Sequence, residues 1–185
     1  MSLFLVISTI WIAFEIYLSR KKRADGTSAK DDKSSLRVLW ITLILAISAG
    51  IYIRRFDFGT IETYSLVIHY FGLFLIVLGL IIRWIAILKL KELFSVTVSI
   101  QKDHHIVDTG IYKLSRHPAY LGSLISFLGL GFALQNWLSV FIICIPIFVA
   151  LSYRIHVEEK VLFREFGDEY SRYISQTKKL LPWIY

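Results

Sequence analysis

Cys144 is the only cysteine of the chain, so no disulfide can form within it and no cysteine cluster can bind a metal. Its place inside a long apolar run suits a small buried side chain. Nucleotide-binding signatures are missing as well. No G-x-x-x-x-G-K loop, no G-x-G-x-x-G turn and no G-x-S-x-G elbow occurs, which removes the soluble phosphate-loop, dinucleotide and serine-hydrolase folds. His104, His105, His117 and His156 are accompanied by Glu158 and Glu159, but no H-E-x-x-H spacing joins them, and two adjacent histidines cannot easily ligate one ion together. No metal site is expected. Nothing repeats with a period of a few tens of residues, which excludes a solenoid.

Charge is also scarce. Charged residues make up 19% of the 185 residues against 56% hydrophobic ones, and the mean hydropathy is +0.60. Such a chain belongs in a bilayer. Stretches close to spanning length run over Ser2 to Leu18, Val38 to Ile53, Leu66 to Leu88, Ala119 to Leu134 and Trp137 to Tyr153. The expected fold is therefore all-α and integral to the membrane, with five transmembrane helices followed by amphipathic C-terminal helices. The first stretch lacks a basic flank before it and a small-residue cleavage site, and reads as a retained helix.

The net charge of +7 is topological. Basic residues crowd after the first stretch (Arg20 to Arg37), between the third and fourth (Lys89 to Arg116) and after the fifth (Lys160 to Lys179). Only Arg54 and Arg55 lie between the second and third, and Gln135 and Asn136 join the fourth to the fifth without charge. The positive-inside rule then puts the N-terminus outside and the C-terminus in the cytoplasm. Anionic headgroups of the lipid bilayer, not nucleic acid, are the implied partners.

One membrane domain spans 1–185. Residues 1–90 hold three transmembrane helices and a polar cytoplasmic linker at 19–37; residues 91–185 hold a cytoplasmic loop, a helical hairpin and the C-terminal helices. In the loop, Phe94, Val96, Val98 and Ile100 alternate with polar or small residues, as an extended stretch would. Asp108-Thr109-Gly110-Ile111-Tyr112 reads as a turn back to the membrane, with Gly110 free to take positive φ. Pro146 should kink the fifth helix. Gly167 can cap the amphipathic helix that follows Arg154, and Asp168 can start the next short one. Gly122, Gly129 and Gly131 would let a neighbour or a ligand approach helix four closely.

The short connection at Gln135 and Asn136 forces the last two spans into an antiparallel hairpin, which brings their cytoplasmic ends together. Arg116, His117 and Tyr120 then meet Arg154, Glu158 and Glu159. An arginine and a histidine at the mouth of a membrane helix need water, an anion or a partner. Pro118 suits the first helical position, and the first-turn amides with the helix dipole favour negative charge. Such a set fits a zwitterionic cofactor: an arginine or a helix N-terminus for a carboxylate, a glutamate for a ribose diol or an ammonium, tyrosine rings for a purine or a sulfonium. The plainer alternative is a helix-surface ion pair between Arg154 and Glu158, together with snorkelling basic anchors.

The stretch from Gly110 through Arg116-His117-Pro118-Ala119-Tyr120-Leu121-Gly122, followed by Arg154, Glu158, Glu159, Phe166-Gly167, Glu169-Tyr170, Tyr173 and Leu181-Pro182, resembles the isoprenylcysteine carboxyl methyltransferase family, in a wider group that includes the phospholipid methyltransferases. The resemblance covers the chain from Phe94 onward. It implies an integral membrane enzyme that transfers a methyl group from S-adenosylmethionine to a carboxylate, or an amine, of a hydrophobic or lipidic acceptor. By the same resemblance the cofactor residues are Arg116, His117, Tyr120, Gly122, Glu158 and Glu159, with Tyr112 in the preceding turn and one of His104 and His105. Arg154 is placed nearer the acceptor, as a partner for a carboxylate, and an amine acceptor would need Glu158 or His117 to deprotonate it. Two alternatives stand beside it: an NADPH-dependent membrane reductase of the sterol reductase type, against which the His117-Pro118 pair speaks, and a non-catalytic membrane scaffold.

Overall fold

The computed structural model describes residues 3–21, 30–90 and 106–180, and no β-strand occurs among them. The helices are α1 (Leu3–Lys21), α2 (Lys30–Ile53), α3 (Ser65–Leu90), α4 (Pro118–Ala133) and α5 (Trp137–Gln176), with a 3-10 turn at Gly110–Lys113 leading into α4. Three of the five expected spans are long and apolar enough to cross a membrane: Ser34–Ile53, Ser65–Leu90 and Trp137–Gln176. Leu3–Leu18 and Pro118–Ala133 are apolar but shorter. Ile44, Leu45, Leu66, Val67, Leu88 and Val149 are all exposed. Water would penalise that surface and hydrocarbon would not, so the protein is one set in a bilayer.

Of the polar linker expected over 19–37, residues 19–21 and 30–37 belong to helices and residues 22–29 lie outside the described residues. α1 continues to Lys21 and α2 already begins at Lys30. The alternating stretch from Phe94 to Ile100 lies outside the described residues. Pro146 lies inside α5, and the helical dihedrals fail further on, at Gly167, with φ 48° and ψ −117°. A proline's fixed φ suits the first turn of a helix, whereas the positive φ at Gly167 marks a kink between two helical stretches and suits glycine.

Small residues set the tightest contact. α3 and α4 run antiparallel with Gly72 against Gly129 and Ala133, and Gly79 against Gly122 and Ser126. A Cβ on Gly129 would stand 2.6 Å from the Gly72 carbonyl oxygen, and one on Gly122 would stand 2.5 Å from that of Gly79. Without side chains in the way the backbones close up and dispersion replaces lipid contact. The Ser126 hydroxyl uses the approach to donate to the Ile76 carbonyl at 3.1 Å. α2 packs on α5 in a similar manner, with the Ser139 hydroxyl donating to the Gly50 carbonyl at 2.7 Å.

Between α4 and α5 only Leu134, Gln135 and Asn136 intervene. Fully buried Asn136 caps α5 by accepting from the Ser139 amide at 3.0 Å and donates to the Phe58 carbonyl at 2.9 Å. The hairpin turn is thereby pinned to the loop after α2. α1 is attached by an ion pair that sequence reading missed: Arg83 Nε and Nη2 meet Glu15 Oε1 and Oε2 at 2.7 and 3.0 Å. Its signal was a lone acid and a lone base inside two apolar runs, which hydrocarbon tolerates only when paired.

Two glycine substitutions should separate packing from backbone strain. Gly79→Ala is expected to lower the stability of the detergent-solubilised protein by about 1–3 kcal/mol, because the new methyl meets α4 backbone. Gly167→Ala, with no neighbour within 4 Å, should cost about 1–2 kcal/mol through its φ alone. Thermal unfolding followed by circular dichroism measures both.

Candidate active site

The segment before α4 and the segment after α5 run side by side at the end of the bundle opposite the hairpin turn. The Arg116 amide donates to the Lys178 carbonyl at 2.8 Å and the His117 amide to that of Lys179 at 3.1 Å. The Ser115 hydroxyl adds a bond to the Lys179 carbonyl at 3.0 Å. This two-sided strap exists because the chain turns at Gly167, which lets Tyr170 and Tyr173 pack inward. The Tyr173 hydroxyl then donates to the Tyr112 carbonyl at 2.8 Å, and the Tyr112 hydroxyl to the Ala86 carbonyl at 3.3 Å. Burial is the main cause that pushes both phenols up, so they stay protonated donors.

Within the strap, Arg116 is almost wholly enclosed. Its Nε donates to Glu159 Oε1 at 2.9 Å, and Nη1 reaches the carbonyls of Ile174 (3.3 Å) and Thr177. His117 Nε2 lies 3.3 Å from the same Glu159 oxygen, and Lys179 Nζ lies 3.5 Å from Oε2. Burial alone would raise the Glu159 carboxyl. The hydrogen bond and charge of His117, then those of Arg116, outweigh it and hold the group at about 2. At 1.5 Å per residue Glu159 stands about 33 Å along α5, beyond a hydrocarbon layer of about 30 Å.

Glu158 faces a different neighbour. Its Oε2 accepts from the Tyr120 hydroxyl at 2.9 Å, and the His117 and Tyr120 rings stack with centroids 5.8 Å apart. Among the described residues, Oε1 of Glu158 has no partner. The Tyr120 hydroxyl also lies within reach of Arg154. That guanidinium, 2% exposed, bonds to the Ser35 hydroxyl on α2 at 2.8 Å. The first turn of α4 offers an anion less than the sequence promised. Pro118 has no N–H and the Tyr120 amide already bonds to the His117 carbonyl at 3.1 Å, which leaves that of Ala119.

Arg116, His117, Tyr120, Glu158 and Glu159 thus converge, with Arg154 beside them and Tyr112 buttressing the strap. Gly122 does not join them. It lies against Gly79 and Arg83 of α3, so its lack of a side chain serves helix packing. His104 and His105 lie outside the described residues. The carbonyls of Ile174 and Thr177, the Lys179 ammonium and the Ser35 hydroxyl were not anticipated. Backbone acceptors carry no residue-type signal, and a lone serine on a distant helix carries almost none.

A family model described as phospholipid methyltransferase matches residues 67–169, more than half of the chain. The protein-S-isoprenylcysteine O-methyltransferase of Saccharomyces cerevisiae is 38% identical over 115 residues, covering 61% of this chain and 48% of that protein. A probable protein-S-isoprenylcysteine O-methyltransferase of Oryza sativa subsp. indica is 33% identical over 119 residues, 63% of this chain and 62% of the relative. A solved structure of the eukaryotic intramembrane Ras methyltransferase, isoprenylcysteine carboxyl methyltransferase, superposes with a TM-score of 0.66 and 26% identity, over 78% of this chain and 52% of the other. The chain spans about half to three-fifths of the length of these relatives.

The depressed Glu159 carboxyl makes a pH-dependent contribution to stability. A carboxylate whose folded value lies below its unfolded one stabilises fully above the unfolded value and loses that contribution as pH falls through the folded one. For Glu159 the window runs from about 4.5 down to about 2. The Tm penalty of Glu159→Gln should therefore be largest at neutral pH and shrink toward pH 3; a penalty independent of pH would contradict the pairing.

Proposed function

Because the chain belongs to the phospholipid methyltransferase family, we propose that it is a membrane methyltransferase moving a methyl group from S-adenosylmethionine to the carboxylate of a hydrophobic, lipidic acceptor. The observation that carries this reading is the pairing of α4's mouth with the double glutamate of α5, which leaves one Glu158 oxygen uncommitted beside Tyr120. The relatives named as O-methyltransferases of isoprenylcysteine favour an oxygen acceptor, with a carboxylate at the end of a lipid chain, over an amine. We take the bundle to cross the bilayer five times, α1 and α4 being the short spans. The charge distribution puts the N-terminus outside and the site on the cytoplasmic face.

The donor set fits such a cofactor. Glu158 offers a free carboxylate oxygen to a ribose diol or an ammonium, and its other oxygen is held in place by Tyr120. Glu159 is neutralised by Arg116, His117 and Lys179, so its work is to fix the arginine and histidine where they stand. When bound, S-adenosylmethionine supplies an activated methyl group to a carboxylate, a nucleophile that needs no general base. The chain's contribution is then alignment and exclusion of water. Arg154, buried near Tyr120, supplies a planar fork matched to an acceptor carboxylate. A lipid tail can reach the site sideways from the bilayer, while the polar cofactor comes from the aqueous side.

Titration calorimetry on the detergent-purified protein should show binding of S-adenosylhomocysteine and none of NADPH. The reverse would select the reductase alternative, and no heat with either would select a scaffold. Glu158→Gln should weaken S-adenosylhomocysteine binding about tenfold, in the range of a charge-assisted hydrogen bond, with little change in apo Tm. Arg154→Lys should spare that affinity and lower turnover of labelled methyl onto N-acetyl-S-farnesylcysteine; equal loss of both would move Arg154 into the cofactor site.

A further inference from the structure

The tyrosine hydroxyls around the site are each given an acceptor, with one exception. Tyr112 donates to the Ala86 carbonyl, Tyr120 to Glu158 and Tyr173 to the Tyr112 carbonyl. Tyr170 is 2% exposed, yet among the described residues its hydroxyl has no hydrogen-bond partner. A buried hydroxyl that bonds to nothing is costly, so it calls for an explanation. Ser152 carries the other such side-chain atom, but a serine hydroxyl within a helix can swing to a carbonyl of the preceding turn. The rigid ring of a tyrosine holds its hydroxyl away from its own backbone.

Its surroundings say what would complete it. The Tyr170 phenol senses the charges of Glu159, Glu158 and Arg116, so it stands at the same corner as the converged site. Glu159 is already engaged at both oxygens, by Arg116 and His117 on one and by Lys179 on the other. Glu158 keeps one oxygen open. A donor without an acceptor and an acceptor without a donor therefore stand in one corner. The positive φ of Gly167 is what delivers the first, since it turns Tyr170 and Tyr173 back onto the bundle with their ring centroids 6.1 Å apart.

We infer that Tyr170 is a cofactor-binding residue whose hydroxyl donates to an acceptor atom of the nucleoside, a ribose oxygen or a ring nitrogen, while Glu158 accepts from the ribose hydroxyls. The inference rests on the methyltransferase reading above. A carboxylate can only accept and this phenol is free to donate, so the two together match a group that presents both hydroxyls and lone pairs.

Tyr170→Phe in the full detergent-solubilised chain tests it, with calorimetry against S-adenosylhomocysteine and against methylthioadenosine, which keeps the nucleoside and lacks the amino-acid end. Affinity for both should fall by the same factor, roughly three- to tenfold for one neutral hydrogen bond, while the apo Tm stays level or rises because an unsatisfied hydroxyl has been removed. Tyr173→Phe is the control: it removes a bonded hydroxyl and should lower apo Tm. Unchanged affinity of Tyr170→Phe overturns the inference, and so does a loss confined to S-adenosylhomocysteine, which would put the contact at the amino-acid end. A Tyr170→Phe chain that fails to fold also overturns it, since the hydroxyl would then be structural. Failure of the unaltered chain to bind either ligand would sink the methyltransferase reading itself.

Discussion

An arginine at the mouth of a membrane helix has to be neutralised where it stands, and the pairing of Arg116 with Glu159 does this across the two halves of the hairpin. Leaving either charge alone in so enclosed a place would be far more costly than the pair is favourable. The guanidinium is therefore a fixed point. The strap, the stacking of His117 on Tyr120 and the direction of the double glutamate are all arranged around it. Backbone carbonyls of Ile174 and Thr177 accept from its Nη1, so the end of α5 is drawn onto the start of α4.

That fixed point works only because the rest of the bundle is stiff. α4 is held along its length by glycines pressed against those of α3, a contact that leaves little freedom to rotate and expose a different face. At the far end Asn136 ties the hairpin turn to the loop after α2. α5 is clamped there and at the strap, and its 40 residues project a cap past the bilayer. Rigid packing in the apolar layer thus gathers the polar groups at one end of the bundle.

Much of this was legible in the residues. Long apolar runs mark helices because hydrocarbon leaves backbone amides no other partner. Two uncharged residues between Leu134 and Trp137 leave only an antiparallel return. The turn at Gly110, with φ 65°, and the change of direction at Gly167 follow from glycine's access to positive φ. Over 30–37 polarity was taken for irregularity, although those residues belong to α2 and long polar side chains are good helix formers.

By itself the sequence determined that apolar helices would pack in a bilayer and that the mouth of α4 would meet the late part of α5 at one end. Periodicity and loop length suffice for that. Only the tertiary structure decided which of two adjacent glutamates Arg116 takes, that Gly122 packs against α3, that Arg154 reaches Ser35 across to α2, and that the Tyr170 hydroxyl is enclosed without a partner among the described residues. Neighbouring residues on a helix point about 100° apart, so side chains that look interchangeable in the chain face different walls once the helices have settled against one another.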